Sequence, residues 1–337
     1  MSTNHPTKFL VFGAGSHIGG PAAKHLAMRR PEAAIRLVTS QESKVDAIRA
    51  EHPDAEVVVA NYLNPESLRA AFDGIEAAFV ITPDFNLDET TAMSNVVHAI
   101  EQARSLVRVV RLTGDPPGFR DESQVIDLFP PMQKWDTGTC VIHLRGRKVL
   151  SASSVPVVYL NVLAWMFQDF SNYMWPSIAK RRTLIMPVER EMNFIDAGDV
   201  GRAAAELMLD PSLTKVGETY HVVNGIDQSR FADLAALMTE AFGEKIEFET
   251  SEEAFIAELG EAWRSYYGFG QAAEYFAEYC KFEEAFISSM GDTPWETMLG
   301  SEALITPEQL GFKPTPFRDW LIANRDSFIR SADASVG

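Results

Sequence analysis

A histidine and two nearby cationic residues form a group whose residue types and spacing could support acid catalysis and anion binding. His143 and Arg147 lie four positions apart in the stretch HLRGRK, so a helix there places both side chains on one face. An imidazole changes charge near neutral pH and suits general acid work, while the Arg147 guanidinium or the Lys148 ammonium can bind an anion. Thr113, in the stretch RLTGD, adds a hydroxyl after an apolar run. The alternative is that His143 only packs within a helix and that both cations are solvated.

A glycine-rich loop near the N-terminus provides the second group of candidate residues. The stretch KFLVFGAGSHIGG places Gly13 and Gly15 after four apolar residues, but Ile18 stands where the pattern G-x-G-x-x-G requires its third glycine, which follows at Gly19. Gly13 permits a tight turn, and Gly19 permits close packing of the next helix. The loop amides, including those of His17 and Ile18, can bind a pyrophosphate at the helix N-terminus. The alternative is a plain turn in a fold that has lost its cofactor.

The elements that must position these residues are indicated by alternating patterns in the first half of the chain. Short apolar runs recur there, separated by segments with helical apolar spacing. The predicted strands are Phe9–Phe12, Ile35–Thr39, Val57–Ala60, Ala77–Ile81, Val107–Leu112 and Val155–Leu160. Continuously apolar strands that alternate with helices are typical of a parallel sheet covered on both faces. We therefore predict an α/β fold with a doubly wound, Rossmann-type sheet over residues 1–160.

Longer helical patterns dominate the second half, residues 161–337. The stretches at 230–243 and 261–290 are predicted to be helical. The predicted strand Glu218–Val223, which precedes both stretches, is expected to join the main sheet. Ligands of open α/β sheets lie beyond the carboxyl ends of the strands. We therefore expect this smaller, mainly helical region to cover that edge and to form the substrate side of a pocket.

Composition excludes several other classes of function. The chain has 337 residues, 46% of them hydrophobic, and a formal net charge of −17, which disfavours a nucleic acid partner or an anionic membrane surface. The two cysteines and seven histidines form no metal-ligand or redox spacing, so we expect no metal. No signal peptide or membrane span is predicted, and we expect a cytoplasmic protein, monomeric or homodimeric, that acts on a small molecule.

Order and spacing along nearly the whole chain resemble the NmrA-like family of atypical short-chain dehydrogenases/reductases. The resemblance rests on the opening loop, the segment from Val57 to Pro83, the pair Asp196 and Asp199 in NFIDAGDVGRAA, the stretch GETYHVVNG, and the C-terminal LITPEQLGFKPTPFRDWLIANRDSF. Aligned with that family, the loop is a G-x-x-G-x-x-G motif in which Ser16 replaces the middle glycine. The resemblance implies a nicotinamide cofactor, and the Ser16 hydroxyl could donate to its phosphate.

The end of the second strand bears on which nicotinamide cofactor is used. NAD sites usually place an acid there, whereas this chain has Thr39 and Ser40 at the strand end, with Glu42 and Lys44 following. The family's frequent arginine near position 40 is absent. We expect Thr39, Ser40 and Lys44 to contact the 2′-phosphate of NADP, while NAD remains an alternative.

The resemblance also implies contacts at the next two strand ends. Asn61 replaces the family's aspartate after the third strand and is expected to hydrogen-bond the adenine edge. Tyr62 and Leu63 would flank the adenine ring. Thr82 and Pro83, after the fourth strand, would lie beside the ribose and the nicotinamide.

The catalytic residues of ordinary short-chain dehydrogenases are missing from this chain. Their serine and Tyr-x-x-x-Lys pair correspond here to Thr113 and to His143 with Arg147. The expected roles are proton donation by His143 and anion or ribose binding by Arg147. The stretch after the sixth strand is expected either to line a substrate pocket or to form core, through Asn161, Trp165, Met166 and Phe167.

Three functions remain open on the sequence. The first is an NAD(P)H-dependent reductase that transfers hydride to a small or medium, largely apolar or aromatic carbonyl, enone or iminium compound. The second is a redox-sensing regulator that binds NADP without turnover, which the missing Tyr-x-x-x-Lys favours. The third is a non-redox isomerase or lyase on the same scaffold.

Overall fold

The central element is an eight-stranded parallel sheet, seen in a computed structural model that describes residues 5–291, 299 and 302–333. The strands are β1 (Lys8–Phe12), β2 (Ala34–Thr39), β3 (Glu56–Val59), β4 (Ala77–Val80), β5 (Arg108–Thr113), β6 (Val157–Val162), β7 (Trp165–Met166), β8 (Thr183–Met186), β9 (Glu191–Ile195), β10 (Thr219–Val222), β11 (Gln228–Arg230), β12 (Glu247–Thr250) and β13 (Ala303–Ile305). The central sheet has the order β13-β10-β6-β5-β4-β1-β2-β3, with every pairing parallel. The predicted doubly wound sheet is confirmed.

Helices connect these strands and cover both faces of the sheet. They are α1 (Gly19–Arg29), α2 (Val45–Glu51), α3 (Pro65–Phe72), α4 (Glu89–Ala103), α5 (Ser123–Leu128), α6 (Thr139–Ser151), α7 (Phe167–Asp169), α8 (Trp175–Arg181), α9 (Ala197–Leu209), α10 (Phe231–Phe242), α11 (Glu252–Tyr267), α12 (Ala272–Met290) and α13 (Phe317–Asp333). The start of α3 illustrates a local sequence cause: the Asn64 side chain accepts from Ser67 N, and Pro65 opens the helix.

Strand β1 shows why the strands of this sheet have continuously apolar sequences. Phe9 and Val11 pack on one face, in a core shared with α1 and α9. Leu10 and Phe12 pack on the other face, in a core shared with α3, α4 and α6. Because successive strand residues point to opposite faces, a sheet buried on both sides needs apolar residues at every position.

The second half of the chain contributes both to the sheet and to a separate core. Strand β10 pairs in parallel with β6, and β13 pairs with β10, so the main sheet includes strands from both sides of residue 160. The remaining strands form two small sheets, β11-β9-β7 and β12-β8. Around them, aromatic and apolar side chains from α8 and α10–α13 form an extensive core.

The strand order reverses between β1 and β4, which defines the place where a ligand binds in such sheets. Strand β1 pairs with β2 on one side and with β4 on the other. The loops that follow β1, β2, β4 and β5 therefore meet at one edge of the sheet. This edge carries most of the residues predicted to have a functional role.

Candidate cofactor and active site

The glycine loop after β1 has the geometry that close approach of a phosphate group requires. Gly13 has a φ of 66°, in the left-handed region, and a Cβ there would lie 2.9 Å from Ile81 Cγ2. A Cβ on Gly19 would lie 2.2 Å from the Gly13 carbonyl oxygen, so only glycine lets α1 begin so near the turn. Gly15 and His17 are exposed. These residues fit a dinucleotide pyrophosphate, which binds against open backbone at a helix N-terminus.

The Ser16 hydroxyl occupies the donors that a phosphate would use in this loop. Its Oγ accepts hydrogen bonds from Ile18 N at 3.3 Å and from Gly19 N at 3.0 Å. Gly19 is the first residue of α1 and Ile18 directly precedes it, at the helix end where backbone donors lack helical partners. Ser16 therefore caps the helix itself, and a bound phosphate must share or take over these two amides.

The end of β2 lies beside this loop, as a site for a 2′-phosphate requires. Lys44 is exposed, and its Cδ lies 3.8 Å from the position of a Cβ on Gly15. Ser40 is exposed as well. The Thr39 hydroxyl is buried and accepts a hydrogen bond from Gln41 N at 3.2 Å. Ser40 and Lys44 are thus accessible to a ligand, whereas Thr39 is engaged in its own turn, and the phosphate contacts stay a prediction.

The residues after β3 divide between the surface and the interior. Asn61 is exposed and its Oδ1 accepts from Leu63 N at 2.8 Å. Leu63 is exposed too. The Tyr62 hydroxyl donates to the Ile81 carbonyl at 2.8 Å, and its ring stacks on Phe12 at a centroid distance of 4.8 Å. Asn61 and Leu63 can reach a ligand, but Tyr62 is turned inward and supports the strand ends instead of flanking an adenine ring.

The end of β4 contains a buried ion pair that the sequence interpretation missed. The buried Thr82 hydroxyl donates to the Glu89 carboxylate and accepts from Arg111 Nη2 at 2.8 Å. Arg111 and Glu89 pair at 2.7 Å, both fully buried, and burial raises the pKa of Glu89. Pro83 beside them is exposed. Two arginines within the strand RVVRLT, Arg108 and Arg111, were the available signal, because a buried guanidinium needs a buried partner.

His143 is placed where it holds backbone, which corrects its predicted role as a general acid. The side chain is buried, and its Nδ1 accepts a hydrogen bond from Gly114 N at 2.9 Å. The proton of the neutral ring is therefore on Nε2, which lies 3.9 Å from Glu89 Oε1. Burial, together with the charges of Arg111 and Arg147, lowers the pKa of His143 well below its ordinary value. The Nε2 proton of a neutral imidazole is far too weakly acidic to be released near pH 7.

Arg147, predicted to bind an anion or the ribose, and Thr113, predicted to stand at the position of the catalytic serine, are also engaged in internal bonds. The Arg147 guanidinium pairs with Asp115 at 2.6 Å, donates to Thr219 Oγ1 at 3.0 Å and stacks on the Tyr159 ring. Both members of the ion pair are almost fully buried. Thr113 Oγ1 donates to Asn161 at 2.8 Å. These groups bind β5, α6 and β10 together, because a buried charge is stable only when it is paired.

Asn161, predicted to line a pocket, is instead the centre of a buried network. Its Oδ1 accepts from Thr113 Oγ1 and Asp115 N, and its Nδ2 donates to the Asp115 carbonyl and to His221 Nδ1. His221 Nε2 then donates to Glu302 at 2.7 Å. Although burial raises it, the pKa of Glu302 falls to about 2 because of its hydrogen bonds with His221 and Gly118 N and the charge of Arg120. Every hydrogen-bonding position of the Asn161 amide is used.

The aromatic stretch after β6 belongs mostly to the core. Phe167 is fully buried between Phe317 and Trp320, at centroid distances of 4.5 and 5.8 Å. It is a core residue and not the wall of an open pocket. Trp165 is buried in the same cluster, and Met166 is half-buried. A pocket role for Trp165 and Met166 stays a prediction.

Two partly exposed carboxyl groups near this edge were not selected from the sequence. Asp84 lies two residues after Thr82 and is hydrogen-bonded to Thr139. Asp169 ends α7 and accepts a hydrogen bond from Met166 N at 3.2 Å. Burial raises the pKa of Asp84 to about 6 and that of Asp169 to about 7. No local pattern marks either residue, because the second half of the chain creates their surroundings.

Within residues 5–291, 299 and 302–333, no set of three or more His, Cys, Asp or Glu side chains is arranged to hold a metal ion. None of the described helices is long and apolar enough to span a bilayer.

Comparison with solved structures agrees with this architecture. Citrobacter sp. triphenylmethane reductase complexed with NADP(H) superposes with a TM-score of 0.67 at 20% identity, over 94% of this chain and 99% of that one. The NADPH-dependent quinone oxidoreductase QOR2 of Escherichia coli, complexed with NADPH, superposes with a TM-score of 0.67 at 18% identity, again over 94% of this chain and 99% of that one. At this level of identity the similarity establishes the fold.

Comparison of sequences identifies the family. A curated relative, nitrogen metabolite regulation-like protein bik4 of Gibberella fujikuroi, is 25% identical over 227 residues, or 64% of this chain. The match spans 65% of the length of that relative. The model of the NmrA-like family matches residues 6–320, which is nearly the whole chain. The protein therefore belongs to the NmrA-like family.

Proposed function

We propose that this protein is an NADPH-dependent reductase that acts on a small or medium-sized, largely apolar or aromatic carbonyl, enone or iminium compound. The observation that carries the proposal is the glycine loop. Gly13 and Gly19 allow a close approach that no other residue permits, and the exposed tip lies beside Lys44 at the end of β2. A cation at that position suits the 2′-phosphate that distinguishes NADPH from NADH.

Residues at the ends of the strands would each hold a different part of this cofactor. The loop amides would bind the pyrophosphate, Ser40 and Lys44 the 2′-phosphate, and Asn61 with Leu63 the adenine. The edge at Thr82 would lie beside the nicotinamide. When bound, NADPH supplies the hydride. In support, similar solved structures are described as complexes with NADP(H), with NADPH, and with NADP+ and (+)pinoresinol.

A regulator that binds NADPH without turnover is the second candidate. The observation that favours it is that Thr113, His143 and Arg147, the residues at the usual catalytic positions, are all used in internal bonds. The name of the curated relative points to regulation as well.

Fluorescence titration with NADPH and NADH, followed by a screen for cofactor oxidation, tests both candidates. The screen uses para-benzoquinone, cyclohexenone, benzaldehyde and a cationic triarylmethane dye. Tighter binding of NADPH than of NADH, with oxidation by at least one probe, is the expected result. Binding without oxidation by any probe would favour the regulator, and no binding of either cofactor would overturn both candidates.

A further inference from the structure

A mixed group of carboxyl and phenol side chains lies where the second half of the chain meets the end of β4. We call Asp84, Asp169, Tyr173 and Tyr267 the acid cluster. Asp84, Asp169 and Tyr267 are half-buried, and Tyr173 is buried. The negative charge of Asp84 acts on Asp169, and both carboxyl groups act on Tyr267. The four side chains therefore share one electrostatic environment.

Hydrogen bonds connect three members of the acid cluster in a chain. Tyr267 donates its hydroxyl proton to Tyr173 at 3.3 Å, and the Tyr173 hydroxyl is hydrogen-bonded to Asp169. The Tyr173 ring is held by Trp263 at a centroid distance of 4.2 Å. The backbone amide of Met166 fixes the other side of the Asp169 carboxyl. The orientation of Asp169 is thus set by partners on α11 as well as by its own segment.

The position of the acid cluster relative to the glycine loop follows from neighbouring contacts. Gln168, next to Asp169, accepts a hydrogen bond from Ala197 N at 2.9 Å. The helix that begins there packs on the loop so closely that a Cβ on Gly201 would lie 2.2 Å from the Ile18 carbonyl oxygen. On the other side, Asp84 follows the end of β4, which flanks Gly13. Asp169 therefore lies along the same edge as the loop and the end of β4.

We propose that Asp169 is the proton donor of the reductase, supported by Tyr173 and Tyr267, and that its substrates are quinones, enones or ketones. This inference rests on the proposed function. After hydride delivery, the oxygen of such a substrate carries a negative charge. The Asp169 O–H bond breaks and an O–H bond forms on the product, which leaves Asp169 as a carboxylate. Water returns the proton through Tyr267 and Tyr173.

Protonation at neutral pH supports this role. Burial, opposed by hydrogen bonds from Tyr173 and Met166 N and aided by the charge of Asp84, raises the pKa of Asp169 to about 7. An acid whose pKa lies near the working pH is the most effective donor. The titratable groups that face it are Asp84 from the β4 loop, Tyr173 from its own segment, and Tyr266 and Tyr267 from α11. Because the protonated form is the active one, the rate must fall as pH rises through this pKa.

The test compares two substrate classes in the wild-type protein and in Asp169→Asn. Reduction of para-benzoquinone needs a proton, whereas reduction of a cationic triarylmethane dye needs only hydride. We expect the substitution to lower kcat for the quinone about 100- to 10,000-fold and to remove the fall in rate above pH 7, with dye reduction and the Kd for NADPH nearly unchanged. Retention of quinone turnover within about threefold, or an equal loss for both substrates, would refute the inference.

Two further measurements separate this inference from the proposed function. A carbon NMR titration of the aspartate carboxyl groups should show one group with a pKa near 7, absent in Asp169→Asn. An ordinary value of about 4 for Asp169 would overturn the donor role whatever the turnover. In Asp84→Asn, loss of the neighbouring charge should shift the quinone pH profile to lower pH. NADPH binding without reduction of any probe would overturn the proposed function and the donor role together.

Discussion

Replacement of Gly19 by alanine should disable the glycine loop through the backbone alone. The added Cβ would lie 2.2 Å from the Gly13 carbonyl oxygen, 2.6 Å from the Gly13 carbonyl carbon and 2.8 Å from the Phe12 carbonyl oxygen. Comfortable contacts need about 3.5 Å, so the turn and the start of α1 must separate by roughly 1 Å. None of the three atoms can rotate aside, because all belong to the main chain.

The size of the effect follows from this displacement. Overpacking of this kind costs about 1–3 kcal/mol, which corresponds to a decrease of roughly 1–4 °C in Tm for a protein of this size. The same shift misaligns the amides of Ile18 and Gly19 that a pyrophosphate needs. We expect the Kd for NADPH to rise at least about tenfold, or ~1.4 kcal/mol.

Fluorescence titration with NADPH and thermal unfolding in the absence of cofactor measure the two effects. Gly15→Ala is the matched control for stability, because its nearest neighbouring atom, Ile48 Cδ1, would lie 3.6 Å from the new Cβ. Its Tm should stay close to that of the wild type. If Gly19→Ala kept both the wild-type Kd and the wild-type Tm, the close approach of loop and helix would not exist, and the assignment of the loop would fail.

Three other substitutions probe the site and its support. Lys44→Glu should weaken NADPH binding at least about tenfold and NADH binding much less, since only NADPH has a 2′-phosphate; a parallel loss in calorimetry would contradict the NADPH preference. Asp115→Asn leaves the buried Arg147 guanidinium without its partner and should cost about 3–5 kcal/mol in denaturant unfolding, whereas a loss below about 1 kcal/mol would show that the pair is not buried in solution. Ser16→Ala removes the cap of α1 and should lower stability by about 1 kcal/mol without cofactor; persistence of the whole deficit at saturating NADPH would argue against phosphate binding to those amides.

Local patterns in the sequence predicted seven of the eight strands of the central sheet, all except β13, and marked the glycine loop. The first predicted strand, Phe9–Phe12, differs from β1 only by Lys8, because a strand buried on both faces requires an unbroken apolar run. The start of α3 at Asn64 and Pro65 is equally local, since a helix cap depends on the residues of a single turn. The requirement for glycine at Gly13 also lies within a few residues of chain.

The direction in which each polar side chain points was decided only by the tertiary structure. His143 and Arg147 share a helix face as their spacing indicates, but that face is directed into the protein, toward Gly114 and Asp115. Whether a histidine acts as an acid or only packs depends on its burial and on the charges that other strands place near it. The residues adjacent to it in the sequence indicate neither of these.

The acid cluster and the buried network show the same limit. Asn161 is hydrogen-bonded to His221, which lies 60 residues later in the chain, and His221 is hydrogen-bonded to Glu302, another 81 residues later. Asp169 owes its raised pKa to burial and to Asp84, which lies 85 residues earlier in the chain. Periodicity and capping act over a few residues and can be read from sequence, whereas burial and electrostatic coupling arise only when distant segments pack, because both depend on distance in space.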